Sequence, residues 1–212
     1  MSLAEAQLAT IPPASRGAAR RRAFLDAATR VFLDEGFEAA SVNEVVRRAG
    51  GSLATLYTQF GNKEGLFLAV VEDGCARFVA PMVQAADPAR TVAARLQEIG
   101  ERFLERLMQP DGLAFFRMVI GEGRKFPAIT ARFMELGPER VRQTVAAYLE
   151  ARRAPDALDL ADAKRAAGYF CDMIRARHHY RALAEADYAL DPAALRAHVA
   201  ETVEFFLRAL RR

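Results

Sequence analysis

Apolar positions recur at helical spacing along almost the whole chain, and the breaks between them are short and chemically marked. From about Ala18 to Glu35, the residues Phe24, Ala27, Ala28, Val31 and Phe32 fall on one face, which is the period of an amphipathic helix. Gly36 follows directly and suits a left-handed C-terminal cap. Ser41 opens a second, short helix. Glu44 lies three residues on, so the pair has the capping-box arrangement in which each side chain meets the other residue's backbone N–H. Ala49-Gly50 ends that helix. Ser52 is placed to cap a third helix, Leu53 to Phe60, and Gly61-Asn62 breaks it. Asn62 caps a fourth, from Lys63 to about Gln84. Longer helices are expected near Thr91–Met108, Leu113–Gly121, Ala128–Arg153, Leu160–Ala184 and Pro192–Arg211. They are separated at Asp87-Pro88, Pro110-Asp111-Gly112, Pro155-Asp156 and Asp191-Pro192.

Strand-like alternation is confined to a few short runs, and there is no internal repeat, so the expected fold class is all-α. Three short helices joined by two tight turns form the helix-turn-helix pattern. The expectation is an N-terminal three-helix DNA-binding domain followed by a larger helical ligand-binding and dimerisation domain. The proposed boundaries are a flexible basic leader at 1–17, the helix-turn-helix domain at 18–66 and the larger domain at 67–212.

Composition refines this picture only slightly. The 212 residues are 52% hydrophobic, enough for one large helical domain or a small one joined to a larger. A net charge of +3 is compatible with nucleic acid, but 27 acids are spread through the same chain, so the sum decides little. The distribution says more. Arg16, Arg20, Arg21 and Arg22 cluster before the first apolar face with no acid among them, and read either as a phosphate-touching arm or as a solvated tail. Cys75 and Cys171 fit no metal or redox spacing and read as buried thiols. No uninterrupted apolar run is long enough to span a bilayer and no secretory leader is present, so a cytoplasmic protein without a membrane partner is expected.

The third helix carries the functional signal. At about 100° per residue, Leu56 and Phe60 lie together with Leu53 flanking, and that side is expected to pack inward. Ala54, Thr55 and Thr58 point away. They are small or hydroxylic, whereas a solvated helix face ordinarily carries Lys and Glu. Such a face fits close apposition to a DNA groove, where bulk would hold the backbone off. Tyr57 lies on the rim, its ring able to pack and its hydroxyl able to reach outward. Lys63 sits in the first turn of the next helix, where the positive helix end disfavours a cation but favours a phosphate. Ser41 offers a similar hydroxyl at the start of the second helix. Arg47 and Arg48 read as further electrostatic footprint or as solvated surface.

The segment AFLDAATRVFLDEGFEAASVNEVVRRAGGSLATLYTQFGNKEGLFLAVVE, Ala23 to Glu72, resembles the DNA-binding domain of the TetR family of regulators. The matching features are Gly36-Phe37, Ser41-Val42, Ala49-Gly50, Ser52, Thr55-Leu56-Tyr57, Phe60, and Lys63-Glu64 followed by Leu66-Phe67. Gly51 stands where the family usually has a small hydrophobe, which is expected to loosen the turn. Gln59 stands where His is common. The resemblance implies phosphate contacts at Ser41, Ser52, Tyr57 and Lys63 and base approach by Leu53, Ala54, Thr55 and Thr58, while Gln59 in place of His either removes a phosphate contact or replaces it with an amide. More loosely, Phe116 to Ala151, with GEGRKFPAI and FMELGPERV, resembles the C-terminal domains of AefR-like members.

The resemblance further implies a homodimer whose last two helices form the interface, and a C-terminal site for a small molecule. In the final helix Leu195, Val199, Val203, Phe206 and Leu210 form one stripe, and the preceding helix offers Ala167, Phe170, Cys171 and Ile174. These two stripes read as a four-helix dimer interface or as packing within one subunit. Phe103, Leu107, Phe116, Ile120, Phe133, Met134, Tyr169 and Met173, with Arg117 for orientation, read either as ordinary core or as the lining of a pocket for a hydrophobic or aromatic effector. His178 and His179 adjoin and cannot form an i, i+4 metal pair, and His198 is distant in sequence, so neither metal nor cofactor is expected. The chain has no GxSxG, no glycine-rich phosphate loop and no HExxH, so catalysis is not expected. The resulting expectation is a ligand-responsive repressor that binds a palindromic double-stranded operator as a dimer and is released by a small hydrophobic effector.

Overall fold

The computed structural model describes residues 16–82 and 90–210. Residues 1–15 of the expected leader, the Asp87-Pro88 break and Arg211 of the expected final helix lie outside them, whereas Arg16 and Gly17, expected in the leader, begin the first helix. Every regular element among the described residues is helical, and the chain divides into two compact units, Met1–Ala69 and Val70–Arg212.

In the first unit α1 (Arg16–Ala39), α2 (Val42–Ala49), α3 (Leu53–Phe60) and the start of α4 (Lys63–Val79) surround an aromatic core. Phe24, Val31 and Phe32 of α1 are buried with Leu56, Leu66 and Phe67. Phe32 meets Phe67 edge-on at 5.3 Å between centroids, and Phe37 lies 4.7 Å from the same ring. Each large side chain so buried contributes roughly 1.5–3 kcal/mol. Gly36 does not end α1. Its φ of 75° and ψ of 167° kink the helix, which resumes to Ala39 and so buries Phe37.

Two expected details of α2 differ. Ser41 is extended at the N-cap position, but its side chain makes no cap hydrogen bond. Glu44 turns instead to Arg47 and Arg48, accepting from Arg47 Nε at 2.7 Å and from Arg48 Nε at 2.6 Å. Charge-assisted bonds to two guanidinium groups outcompete a bond to one backbone amide. These arginines hold the Glu44 carboxyl down to about 2.

The second unit contains the rest of α4, a 3₁₀ turn at Ala80–Met82, and α5 (Val92–Met108), α6 (Pro110–Glu122), α7 (Pro127–Met134), α8 (Arg140–Arg152), α9 (Ala163–Ala184) and α10 (Pro192–Ala209). Thr91, Asp162 and Asp191 cap α5, α9 and α10 through their side chains. Pro110-Asp111-Gly112, read as a break, is the first turn of α6, with the proline at a position where no N–H is needed. The long helix expected over Ala128–Arg153 is α7 and α8 joined by a π-helical turn, Glu135–Glu139. Pro138 lies inside that turn and lacks the N–H an α-helix would use, so the path widens instead of breaking. The core of this unit is drawn from α5, α8, α9 and α10. Gly100 allows α5 its close approach, because a β-carbon there would stand 2.7 Å from Cγ1 of Val199.

Candidate nucleic-acid interface

The site is built from α2, α3 and the turns that flank α3. Gly50 adopts the left-handed conformation at φ 68°, and its N–H donates to Val46 O at 3.0 Å. Gly61 takes φ 78°, and its N–H donates to Tyr57 O at 2.8 Å. Non-glycine residues rarely adopt such angles, so these two glycines fix where α3 begins and ends. Ser52 caps α3, accepting from Thr55 N at 3.1 Å, and its hydroxyl lies 2.8 Å from that of Thr55. Asn62 accepts from Gly65 N at 2.8 Å, capping α4 as expected.

Leu56 and Phe60 are buried, while Ala54 and Thr58 are exposed and Tyr57 is 44% exposed. The Thr58 hydroxyl donates back to Ala54 O at 2.8 Å, which leaves its lone pairs and methyl on the outer face. Leu53 departs from expectation. It is 37% exposed where Leu56 is fully buried, so it is only partly covered at the start of α3. Thr55 is half-buried and bonded to Ser52, so it lies at the edge of the outer face. Gln59 is half-buried with its Oε1 enclosed and without a hydrogen-bond partner. Its amide oxygen is therefore turned inward, away from the contact assigned to it. The outer face of α3 consists of Leu53, Ala54, Tyr57 and Thr58, flanked by the exposed Ser41 and Ser52.

The cations around this face are largely engaged, which sequence reasoning missed. Arg20 donates to the carbonyls of Ala49, at 3.2 Å, and of Gly50. These are the last acceptors of α2, so Arg20 ties α1 to the turn that launches α3. Arg21 lies 4.7 Å over the Phe60 ring. Arg22 pairs with Asp26, and Arg48 reaches Asp34 at 3.3 Å as well as Glu44. Lys63 donates to Glu38 O at 2.9 Å and sits 4.9 Å from the Phe37 ring centroid. Its place in a helix first turn is thus explained internally by an orphan carbonyl at the end of α1. The one signal in the sequence was the spacing: arginines at Arg20 and Arg21 share the α1 side that carries Phe24.

Gly51, which departs from the family pattern, is also explained. A β-carbon there would stand 2.5 Å from Cζ and 2.9 Å from Cε1 of Phe24. The phenylalanine ring occupies the space a small hydrophobe would fill, so the turn is filled and not loosened.

The other assignments fare differently. Ala167, Phe170, Cys171, Ile174, Leu195, Val199, Val203, Phe206 and Leu210 are all buried within the single subunit. Side chains already covered by their own subunit have little surface left for a partner, so the two stripes are the α9–α10 core. The outward large apolar residues of these helices are Tyr169, 62% exposed, Tyr180, 76% exposed, and Phe205, 60% exposed; Tyr169 and Phe205 lie together. Tyr169 and Phe205, with Met173, Phe206 and Leu210, line a groove of about 720 Å³ on the α9–α10 face.

The residues assigned to an effector pocket differ in exposure. Phe103, Leu107 and Phe133 are buried, Phe116 is half-buried, and Ile120, Met134 and Tyr169 face outward. Tyr169 and Met173 belong to the α9–α10 groove. Arg117 donates to the carbonyls of Leu183, at 3.2 Å, and Ala182, closing the C-terminal end of α9. His198, distant in sequence, packs against His178 at 4.6 Å between centroids, and His178 Nδ1 bonds the Tyr188 hydroxyl. Among the described residues no group of three His, Cys, Asp or Glu side chains could hold a metal ion, and no helix is long and apolar enough to cross a membrane.

Comparison with known proteins places this geometry. Residues 24–70 match the bacterial regulatory proteins of the tetR family, and residues 94–212 match the AefR-like transcriptional repressor C-terminal domain. The chain is 45% identical over 60 residues to the HTH-type transcriptional repressor ComR of Escherichia coli (strain K12), a match covering 28% of this chain and 29% of ComR. It is 29% identical over 196 residues to the HTH-type transcriptional regulator BetI of Rhizobium meliloti (strain 1021), covering 91% of this chain and 90% of BetI. The first match thus spans under a third of its relative's length, the second nearly all. The solved structure of the flavonoid-responsive regulator FrrA superimposes with a TM-score of 0.78 at 26% identity, covering 91% of this chain and 97% of FrrA. A helix-turn-helix unit with an uncharged outer face, followed by an AefR-like helical domain, makes this chain a member of the TetR family of transcriptional regulators, not an enzyme.

Proposed function

We propose that the chain acts in the cytoplasm as a dimeric repressor of transcription, binding a palindromic operator and released by a small apolar effector. The observation that carries the reading is the outer face of α3: Leu53, Ala54, Tyr57 and Thr58 are exposed and uncharged, between the hydroxyls of Ser41 and Ser52. A face of this chemistry approaches base edges closely while the flanking hydroxyls and the N-terminus of α4 receive phosphates. Lys63 joins them by exchanging the Glu38 carbonyl for a phosphate oxygen. Repression is supported by the name of ComR, and an aromatic effector by that of FrrA.

The proposed occupant of the α9–α10 groove is a second copy of the chain, packed about a two-fold axis through Tyr169, Met173 and Phe205. Two recognition helices then enter successive major grooves about 34–36 Å apart. An effector that binds the conformation with a different spacing lowers operator affinity by its differential affinity for the two states.

Anisotropy titration against the DNA upstream of the chain's own gene tests the reading. Wild type binds that DNA more tightly than a scrambled duplex, and Thr58→Glu abolishes the preference while the melting temperature stays within ~1 °C of wild type, as expected of an exposed surface substitution. Equal binding of both duplexes by wild type would falsify it.

A further inference from the structure

On α9, His179 is 3% exposed, and its Nε2 is buried with no hydrogen-bond partner. Burial, reinforced by the charges of Arg175 and Arg117, pulls its pKa down to about 4, so the ring is neutral near pH 7. A neutral imidazole has one donor and one acceptor nitrogen, and a buried polar atom without a partner costs roughly 1–3 kcal/mol. The surroundings of this nitrogen are aromatic. Phe116 of α6 stands edge-on to the His179 ring at 4.8 Å, and Phe133 of α7 meets Phe116 edge-on at 5.8 Å.

Helix α6 supplies a second, independent observation. Leu113, Phe115, Phe116, Met118, Val119 and Ile120 place apolar groups over most of its circumference, yet only Val119 is buried. So wide an apolar face is ordinarily covered. Here Leu113, Phe115, Phe116 and Met118 are half-buried and Ile120 is 49% exposed. An uncovered apolar helix and an unanswered polar nitrogen meet at the contact between Phe116 and His179.

We propose that Phe116 and His179 form an effector site that takes an apolar ring compound bearing a neutral hydroxyl group. The ring covers the Phe116 side of α6, and the hydroxyl answers Nε2. A hydroxyl donates and accepts, so it satisfies either tautomer of the imidazole. A carboxylate is disfavoured. Arg117 is engaged with the carbonyls of Ala182 and Leu183, and Arg175 pairs with Asp172 at 3.3 Å, so an acid would be desolvated against a neutral ring. The proposal rests on the effector-responsive reading above and gives it a polar anchor.

The test uses the full chain and two probes that differ by one group, 2-naphthol and naphthalene. By calorimetry, wild type binds 2-naphthol ~tenfold more tightly, the worth of about one hydrogen bond. His179→Leu loses that preference. In histidine labelled with ¹⁵N, the Nε2 resonance of His179 moves on adding 2-naphthol and stays still with naphthalene, a readout that does not depend on the variant folding. Equal affinities, a preference kept in His179→Leu, or an Nε2 resonance already that of a water-bonded nitrogen and unmoved by 2-naphthol would each overturn the anchor. Operator titrations with both probes separate the two levels. DNA affinity lowered equally by either probe, in wild type and His179→Leu alike, leaves the effector reading standing and removes only the anchor; DNA affinity altered by neither probe removes this site from effector control.

Discussion

Gly51 and Phe24 compete for one volume: a β-carbon on the glycine would stand 2.5 Å from Cζ of a ring that is fully buried. The same ring meets Phe60 edge-on at 6.3 Å, so the turn before α3 and the last residue of α3 both rest on one side chain of α1. Seating of the recognition helix is therefore decided by a packing contact. Gly51→Ala is expected to destabilise the chain by about 1–3 kcal/mol, the ordinary cost of overpacking. Phe24→Leu costs stability through a cavity. Combined, the two substitutions should cost less than their sum, because each relieves the other. Additive losses in denaturant melts would show that the turn shifts to accept the methyl group independently of Phe24.

Lys63 and Arg20 are both cations beside α3, and they are predicted to differ in kind. Lys63→Ala lowers affinity for operator and random DNA alike, and reduces the slope of log K against log salt by about 0.9, one phosphate contact. Arg20→Ala instead frees the carbonyls of Ala49 and Gly50. It is expected to lower stability by about 1 kcal/mol and leave the salt slope unchanged. A slope that falls with Arg20→Ala would return this residue to the phosphate-touching arm.

The α9–α10 groove makes a prediction about assembly. Tyr169→Glu with Phe205→Glu places charge on residues that the subunit itself leaves exposed. Sedimentation should report monomers for this double variant and dimers for wild type, with little change in helical content. Substituting Phe170 or Val203 should instead unfold the subunit, since both are buried in its core. A double variant that remains dimeric would move the interface elsewhere.

Acid stability follows from the buried histidine. The pKa of His179 falls from 6.5 to about 4 on folding, chiefly through burial. The unfolded chain therefore binds the proton more readily, and stability is full above about pH 6.5 and declines as the pH falls toward 4. Between pH 7 and 5 the loss is on the order of 1–2 kcal/mol. In this window Asp26, Glu44, Glu98, Asp162 and Glu185, all held below the usual carboxylate range by arginines or by capped amides, stay ionised. His179→Phe should flatten the decline in urea melts. The pKa of His178 is also lowered, mainly by burial, so a residual slope belongs to it. An unchanged slope in His179→Phe would place the titration on other groups, His178 among them.

What the sequence determined by itself is what short-range chemistry controls. Helical periodicity, Gly50, Gly61, Ser52 and Asn62 set the ends of α2, α3 and α4, and the uncharged run from Leu53 to Phe60 marked the recognition helix. Caps and positive-φ turns act within a few residues, so they can be read from neighbours. Tertiary structure decided which partner each versatile group takes. Glu44 chose two arginines over a capping amide, Lys63 chose the Glu38 carbonyl, and Arg20 chose the end of α2. It also decided which apolar stripe faces inward: periodicity shows that Phe206 and Phe170 share a face with their neighbours, but a buried stripe looks the same whether a second copy or the same subunit covers it. Long-range packing removes that degeneracy, and it turned the expected interface into core while leaving Tyr169 and Phe205 outside.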